Sequence, residues 1–176
     1  MTERLGRIAA VTLMAGTVAV LATTVLTGFA PALRAKFGWS KATSPAAYAV
    51  GQSFDVPAIV YSTTDRTLVV FASGTCSACL KSAQALSGLF TDFRDSPTRV
   101  VLVTPATMAA DQEAFVQGLG VPASQHLTMN TSGLRLKVVP TTVLVDRLGT
   151  VLYAREGLID DAGRQAIRLA VDGPRS

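Results

Sequence analysis

The chain is poor in the residues that build most small functional centres. Of its 176 residues only two are cysteine, one is histidine and one is tryptophan, and aromatics contribute 6%. Two cysteines cannot form a disulfide framework, and one histidine cannot form a histidine-rich metal centre. Charge is sparse, with 16 basic against 12 acidic residues, and from Arg34 onward no basic run is longer than two. A net charge of +4 spread in this way is no footprint for nucleic acid, which is not expected as a partner. Internal repeats and low-complexity tracts are also lacking, so collagen-like and disordered classes are excluded for the bulk of the chain.

What the chain has in excess is hydrophobicity, 49% of residues, and the excess is local. From Ile8 to Leu33 there are 26 consecutive residues without a formal charge, whereas Arg34 to Ser176 carry 25 of the 28 charged groups. Residues 8–30 are long enough, at 1.5 Å per residue, to cross a hydrocarbon core about 30 Å thick. A secretory signal peptide is the rival reading, because Ala30-Pro31-Ala32 is a small-x-small site, but the apolar stretch exceeds the usual signal core. The sequence therefore predicts a short polar tail at 1–7, a transmembrane helix or uncleaved signal anchor at 8–30 and a juxtamembrane linker at 31–49. A folded domain at 50–172 and a tail at 173–176 follow. Basic residues flank both ends of the apolar stretch, so charge alone does not orient it.

Within the domain the periodicities alternate. Thr67–Ala72 is a continuous apolar run of the kind buried on both faces of a sheet, and Phe54–Tyr61 before it reads as an edge strand. Leu80, Ala83, Leu86, Leu89, Phe90 and Phe93 recur at threes and fours, which predicts a helix of about four turns. Arg99–Thr104 reads as a strand, Ala109–Leu119 as a helix and Gln125–Met129 as a short strand. Thr131–Lys137 looks helical. Thr141–Asp146 and Val151–Glu156 form a hairpin around Arg147–Thr150, and Ile159–Val171 closes the chain as a helix. Strands alternating with helices, then a hairpin and a helix, specify an α/β three-layer sandwich with a mixed sheet.

The chemistry lies in Cys76-Ser-Ala-Cys79, placed between a buried strand and the first turn of a helix. Unpaired N–H groups and the positive end of the helix dipole stabilise a thiolate there, which makes Cys76 the nucleophile. Cys79, one turn inside, can attack a mixed disulfide formed at Cys76 and is the resolving thiol. A structural zinc site lacks ligands, and a disulfide between neighbouring turns closes too short a loop to be a useful staple. The second feature is Val139-Pro140-Thr141, where a proline opens a strand. It suits a strand start, or a cis turn that leaves a neighbouring backbone group free for a ligand.

Thr67-Leu-Val-Val-Phe-Ala-Ser-Gly-Thr-Cys-Ser-Ala-Cys79, with Val138-Val-Pro-Thr-Thr-Val-Leu-Val-Asp-Arg-Leu-Gly-Thr-Val151, resembles thioredoxin-fold proteins. With the apolar amino-terminal stretch and the Val50-Gly51-Gln-Ser-Phe54 entry, the chain is similar to the TlpA/ResA-like extracytoplasmic thiol-disulfide oxidoreductases. The resemblance implies a thioredoxin-like α/β/α fold, Cys76 and Cys79 as the catalytic pair, and substrate binding at Val139, Pro140 and Thr141. It also implies an extracytoplasmic domain, protein disulfide substrates and a membrane protein as electron donor, with no bound cofactor or metal. Ser73 and Thr75 are candidates for hydrogen bonding near the Cys76 sulfur. Family members carry a buried acid at the places of Val70 or Ser82, so that proton acceptor is not carried over. The usual tryptophan before the first cysteine is Thr75. Two other readings are a copper or thiol-metal chaperone of the same fold and a non-catalytic assembly factor. As copper ligands, His126, Met108 and Met129 are outweighed by ordinary loop and packing roles.

Overall fold

A computed structural model describes residues 47–106 and 110–173. The apolar stretch 8–30, the tails at 1–7 and 174–176, Trp39, most of the expected linker and Met108 lie outside the described residues. Among the described residues, no helix is long and apolar enough to cross a membrane.

Five strands form one sheet: β1 (Arg66–Phe71), β2 (Thr98–Pro105), β3 (His126–Met129), β4 (Thr141–Asp146) and β5 (Val151–Glu156). Their spatial order is β3-β2-β1-β4-β5. β1, β2 and β3 run parallel, while β4 is antiparallel to both β1 and β5, so the sheet is mixed as expected. Among the described residues four α-helices accompany it: α1 (Ser77–Lys81), α2 (Ala83–Asp92), α3 (Ala110–Leu119) and α4 (Asp161–Asp172).

Alternation along the central strands builds two cores. Leu68, Val70, Val100, Leu102 and Leu144 pack under the helices with Leu86, Leu89, Phe115 and Ile167. Val69, Phe71, Val101, Val103, Val143 and Val145 face the opposite way. That second face is covered by the segment before β1, through Tyr48, Phe54, Val56 and Ile59, and by Leu134 and Leu136 from the loop after β3. The described part of this third layer is irregular chain.

Three expected elements are therefore different. Residues 54–61 form no strand. Ser53 pairs with Thr150 in an isolated bridge, after which the Ile59 N–H turns back to the Val56 carbonyl and the Val56 N–H donates to the Tyr61 hydroxyl. Pro57 lacks the donor a ladder would need, and the apolar side chains are used as a plug over the sheet. Residues 131–137 form no helix either. The Asn130 carboxamide accepts from the Ser132 N–H, a local turn that competes with helix, and Leu134 and Leu136 then alternate onto the second core. The predicted four-turn helix is broken in two at Ser82, whose hydroxyl donates to the Ala78 carbonyl and accepts from the Ile159 N–H.

Tyr48 belongs to the domain's packing. Its ring meets Phe54 edge-on at 4.8 Å and its hydroxyl accepts from the Arg135 N–H. At the other end of the sheet Arg66, only 7% exposed, sends its guanidinium to the Val171 and Ala170 carbonyls and caps the end of α4. Arg66→Ala is expected to destabilise the domain by about 2 kcal/mol, the scale of a charged hydrogen bond with a buried stem. Denaturant unfolding of the two proteins side by side measures it, and an unchanged midpoint would refute the capping role.

Candidate active site

The dithiol sits where β1 ends and α1 begins. Cys76 is the N-cap of α1, with extended backbone (φ −91°, ψ 118°), and its Sγ accepts from the Cys79 N–H at 3.4 Å. This is the capping interaction that serine or aspartate usually supplies, here made by sulfur. The Cys76 side chain is half-buried, whereas Cys79 is wholly buried in the core beneath the helices. One sulfur is therefore reachable by a protein and the other only through the first.

The two thiols differ in acidity for reasons visible in the structure. Burial works against the Cys76 thiolate, but the Cys79 thiol and the Cys79 and Ala78 N–H groups all stabilise it, and together they bring its pKa below the ordinary thiol value. Burial, followed by donation to Cys76, pushes Cys79 up to about 12, although its Sγ accepts from the Ser73 N–H at 3.5 Å. Two thiols of different acidity are thus separated by burial and by one turn of helix.

Across from the dithiol, the Val139–Pro140 peptide bond is cis. The Val139 carbonyl accepts from the Cys76 thiol at 3.3 Å, which places this loop directly against the outer sulfur. Pro140 and Thr141 are buried, and the Thr141 hydroxyl donates to the Val138 carbonyl at 2.6 Å, closing the turn from within. Thr141 therefore shapes the loop through its side chain, while Val139 supplies the contact to sulfur. Ser73 and Thr75 bond to each other through their hydroxyls at 2.9 Å. Ser73 reaches the dithiol through its backbone, with its N–H on Cys79 Sγ and its carbonyl accepting from the Cys76 N–H.

Several contributors carried no sequence signal. The Gly157 N–H donates to the Pro140 carbonyl at 2.8 Å, bringing 157–159 beside the cis loop, and Val138 and Leu158 stand about half exposed there. Ser82 anchors the same segment from below. Gly74 lies so close to α3 that a Cβ would come within 2.4 Å of the Asp111 carbonyl, a contact only glycine permits. At the two places where a buried acid was sought, Val70 is a core residue and Ser82 uses its hydroxyl structurally.

His126 lies on edge strand β3, where its Nε2 is 2.9 Å from the Thr104 hydroxyl and burial lowers its pKa. Met129 packs on the second core. Among the described residues, no three His, Cys, Asp or Glu side chains are grouped to hold a metal ion.

The chain matches no protein-family model and none of the curated proteins. Its structure is similar to solved ones. One is a Chlorobium tepidum protein assigned as a thiol:disulfide interchange protein DsbE, at a TM-score of 0.53 and 21% identity, over 73% of this chain and 96% of that one. Another is the thioredoxin domain of a Bacteroides vulgatus thiol-disulfide oxidoreductase, at 0.51 and 16% identity, over 71% and 97%. A third is a secreted Mycobacterium tuberculosis disulfide oxidoreductase described as homologous to Escherichia coli DsbE, at 0.51 and 15%, over 63% and 84%. With the sheet order, the dithiol at the end of β1 and the cis proline opening β4, these likenesses identify the described domain as a thioredoxin fold.

Proposed function

We propose that the protein is a thiol-disulfide oxidoreductase that reduces disulfides of other proteins outside the cytoplasm, held at the membrane by residues 8–30. The observation that carries this reading is the asymmetric pair: a half-buried, acidified Cys76 capping a helix, a fully buried Cys79 beneath it, and the Val139 carbonyl against the outer sulfur. The names of the structural relatives support the same chemistry.

The reaction balances without a bound cofactor. Cys76 thiolate attacks one sulfur of a substrate disulfide, the Cys76–substrate bond forms, and the other substrate sulfur leaves and takes up a proton. Cys79 then loses its proton and attacks Cys76 Sγ, and the second substrate sulfur departs and is protonated. The substrate has gained two electrons and two protons, and the protein holds a Cys76–Cys79 disulfide. Reset requires a dithiol donor, which in this reading is a protein in the same membrane. Val138 and Leu158, exposed beside the cis loop, offer apolar contact to the chain around a substrate disulfide.

Equilibration of the full chain in detergent with glutathione or dithiothreitol buffers, followed by thiol trapping, measures the potential of the pair. A two-electron transition below about −220 mV is expected for a reductant, and one near −120 mV would reverse the direction of electron flow. Absence of a reversible transition would overturn the reading. For location, a reporter fused after Ser176 is expected to be active only outside the cytoplasm, and cytoplasmic activity would refute the topology.

A further inference from the structure

Gln112, in the first turn of α3, lies 36 residues after Cys76 and plays no part in the exchange chemistry above. Its carboxamide is buried, and the Oε1 accepts from the Gly74 N–H at 2.9 Å. The other half of the same amide, Nε2, is also buried and has no partner among the described residues. An orphaned donor in the interior is a net cost to folding. An apolar residue of similar length would avoid that cost, so what distinguishes glutamine here is its acceptor oxygen.

That oxygen governs one peptide unit. The group between Ser73 and Gly74 has its carbonyl accepting from the Cys76 N–H and its N–H donating to Gln112, so it is pinned at both ends. The adjoining Ser73 N–H donates to Cys79 Sγ, the contact by which the loop favours the Cys79 thiolate. Gly74 allows α3 to come close enough for this bond, since any Cβ there would strike the Asp111 carbonyl. Without the Gln112 acceptor, the Ser73–Gly74 peptide loses one of its two hydrogen-bond restraints, and the adjoining Ser73 N–H loses the support that this restraint gives it.

From this geometry we infer that Gln112 is a positioning residue for the resolving step: through Gly74 it holds the Ser73 N–H on Cys79 and so prepares Cys79 to attack the mixed disulfide at Cys76. The inference rests on the exchange reaction proposed above. A misplacement of this kind slows the step that needs Cys79 and spares the step that needs only Cys76.

The test is the reaction of the full, reduced chain with 5,5′-dithiobis(2-nitrobenzoate). Attack by Cys76 releases one coloured thiolate and leaves the other aryl group on Cys76, and attack by Cys79 on that mixed disulfide releases the second. In Gln112→Leu the second phase is expected to slow roughly tenfold while the first stays within about twofold. Gln112→Glu, which keeps an acceptor oxygen and removes the orphaned donor, is expected to restore the second phase. Should the leucine variant fail to fold, Gln112→Met, closer in length, takes its place. An unchanged second phase, equal slowing of both phases, or no rescue by glutamate would overturn the inference. A wild-type chain that never releases a second thiolate would instead overturn the redox reading, before any variant is compared.

Discussion

Cys76→Ser is expected to lower disulfide reduction by at least about a hundredfold, to the level of uncatalysed exchange, while Cys79→Ser stalls the protein as a covalent complex with its substrate. The two outcomes differ because burial divides the labour. Cys76 is the half-buried sulfur and its thiolate is favoured by the Cys79 thiol and two backbone N–H groups, so it alone can begin the reaction. Cys79 is fully buried and reaches only Cys76. With serine at 79, the first step proceeds, one substrate sulfur leaves, and nothing within reach can displace the other. Mass spectrometry of non-reduced complexes checks this: a one-to-one adduct with Cys79→Ser, and none with Cys76→Ser or the double variant. Adducts through position 79 in the Cys76→Ser protein would mean that the roles are exchanged.

The reduced protein is expected to lose stability in alkali that the oxidised protein keeps. Cys79 has a folded pKa near 12 against an ordinary 9.0, so the fold favours its neutral thiol. A group raised in the folded state contributes stability that is present below the unfolded value and lost as pH rises through the folded one. The window is therefore pH 9 to 12, and the loss across it is at most about 4 kcal/mol. Cys76 is shifted the other way. Its contribution grows as pH rises from its lowered pKa toward 9.0, so the reduced form should be most stable near the top of that range. Tyr61, also raised to about 12 by burial, is present in both redox forms and cancels in the comparison. Unfolding midpoints of reduced and oxidised chains, measured from pH 7 to 11.5, check the prediction. Parallel curves would show that the buried thiol does not resist ionisation.

The sequence carried the centre of the sheet well because the central strands are buried on both faces. Thr67–Ala72 and Arg99–Thr104 are continuous apolar runs, and both are central strands within one residue of the expected bounds. The segments that misled are those whose hydrophobic residues serve the second face without regular structure. Phe54, Val56 and Ile59 are apolar enough for a strand, but Pro57 and the Val56–Tyr61 bond turn them into a plug. Leu134 and Leu136 sit at a period of two, and in 131–137 that spacing outweighed the helical reading. Ser82 could not be read as a helix break from periodicity, because its reason for breaking is Ile159, 77 residues away.

The sequence by itself singled out the cysteine pair, the proline that opens β4 and the strand before the pair, because each depends on local spacing: two residues between the cysteines, a helix start, a strand start. Only the tertiary structure decided which groups surround the sulfurs. The Val139 carbonyl, the Ser73 N–H and the Gln112 acceptor come from segments brought together by the sheet order and by a glycine that lets α3 approach the loop. Those contacts join residues as many as 63 positions apart, and burial, which separates the acidities of the two cysteines, is a property of the packed domain.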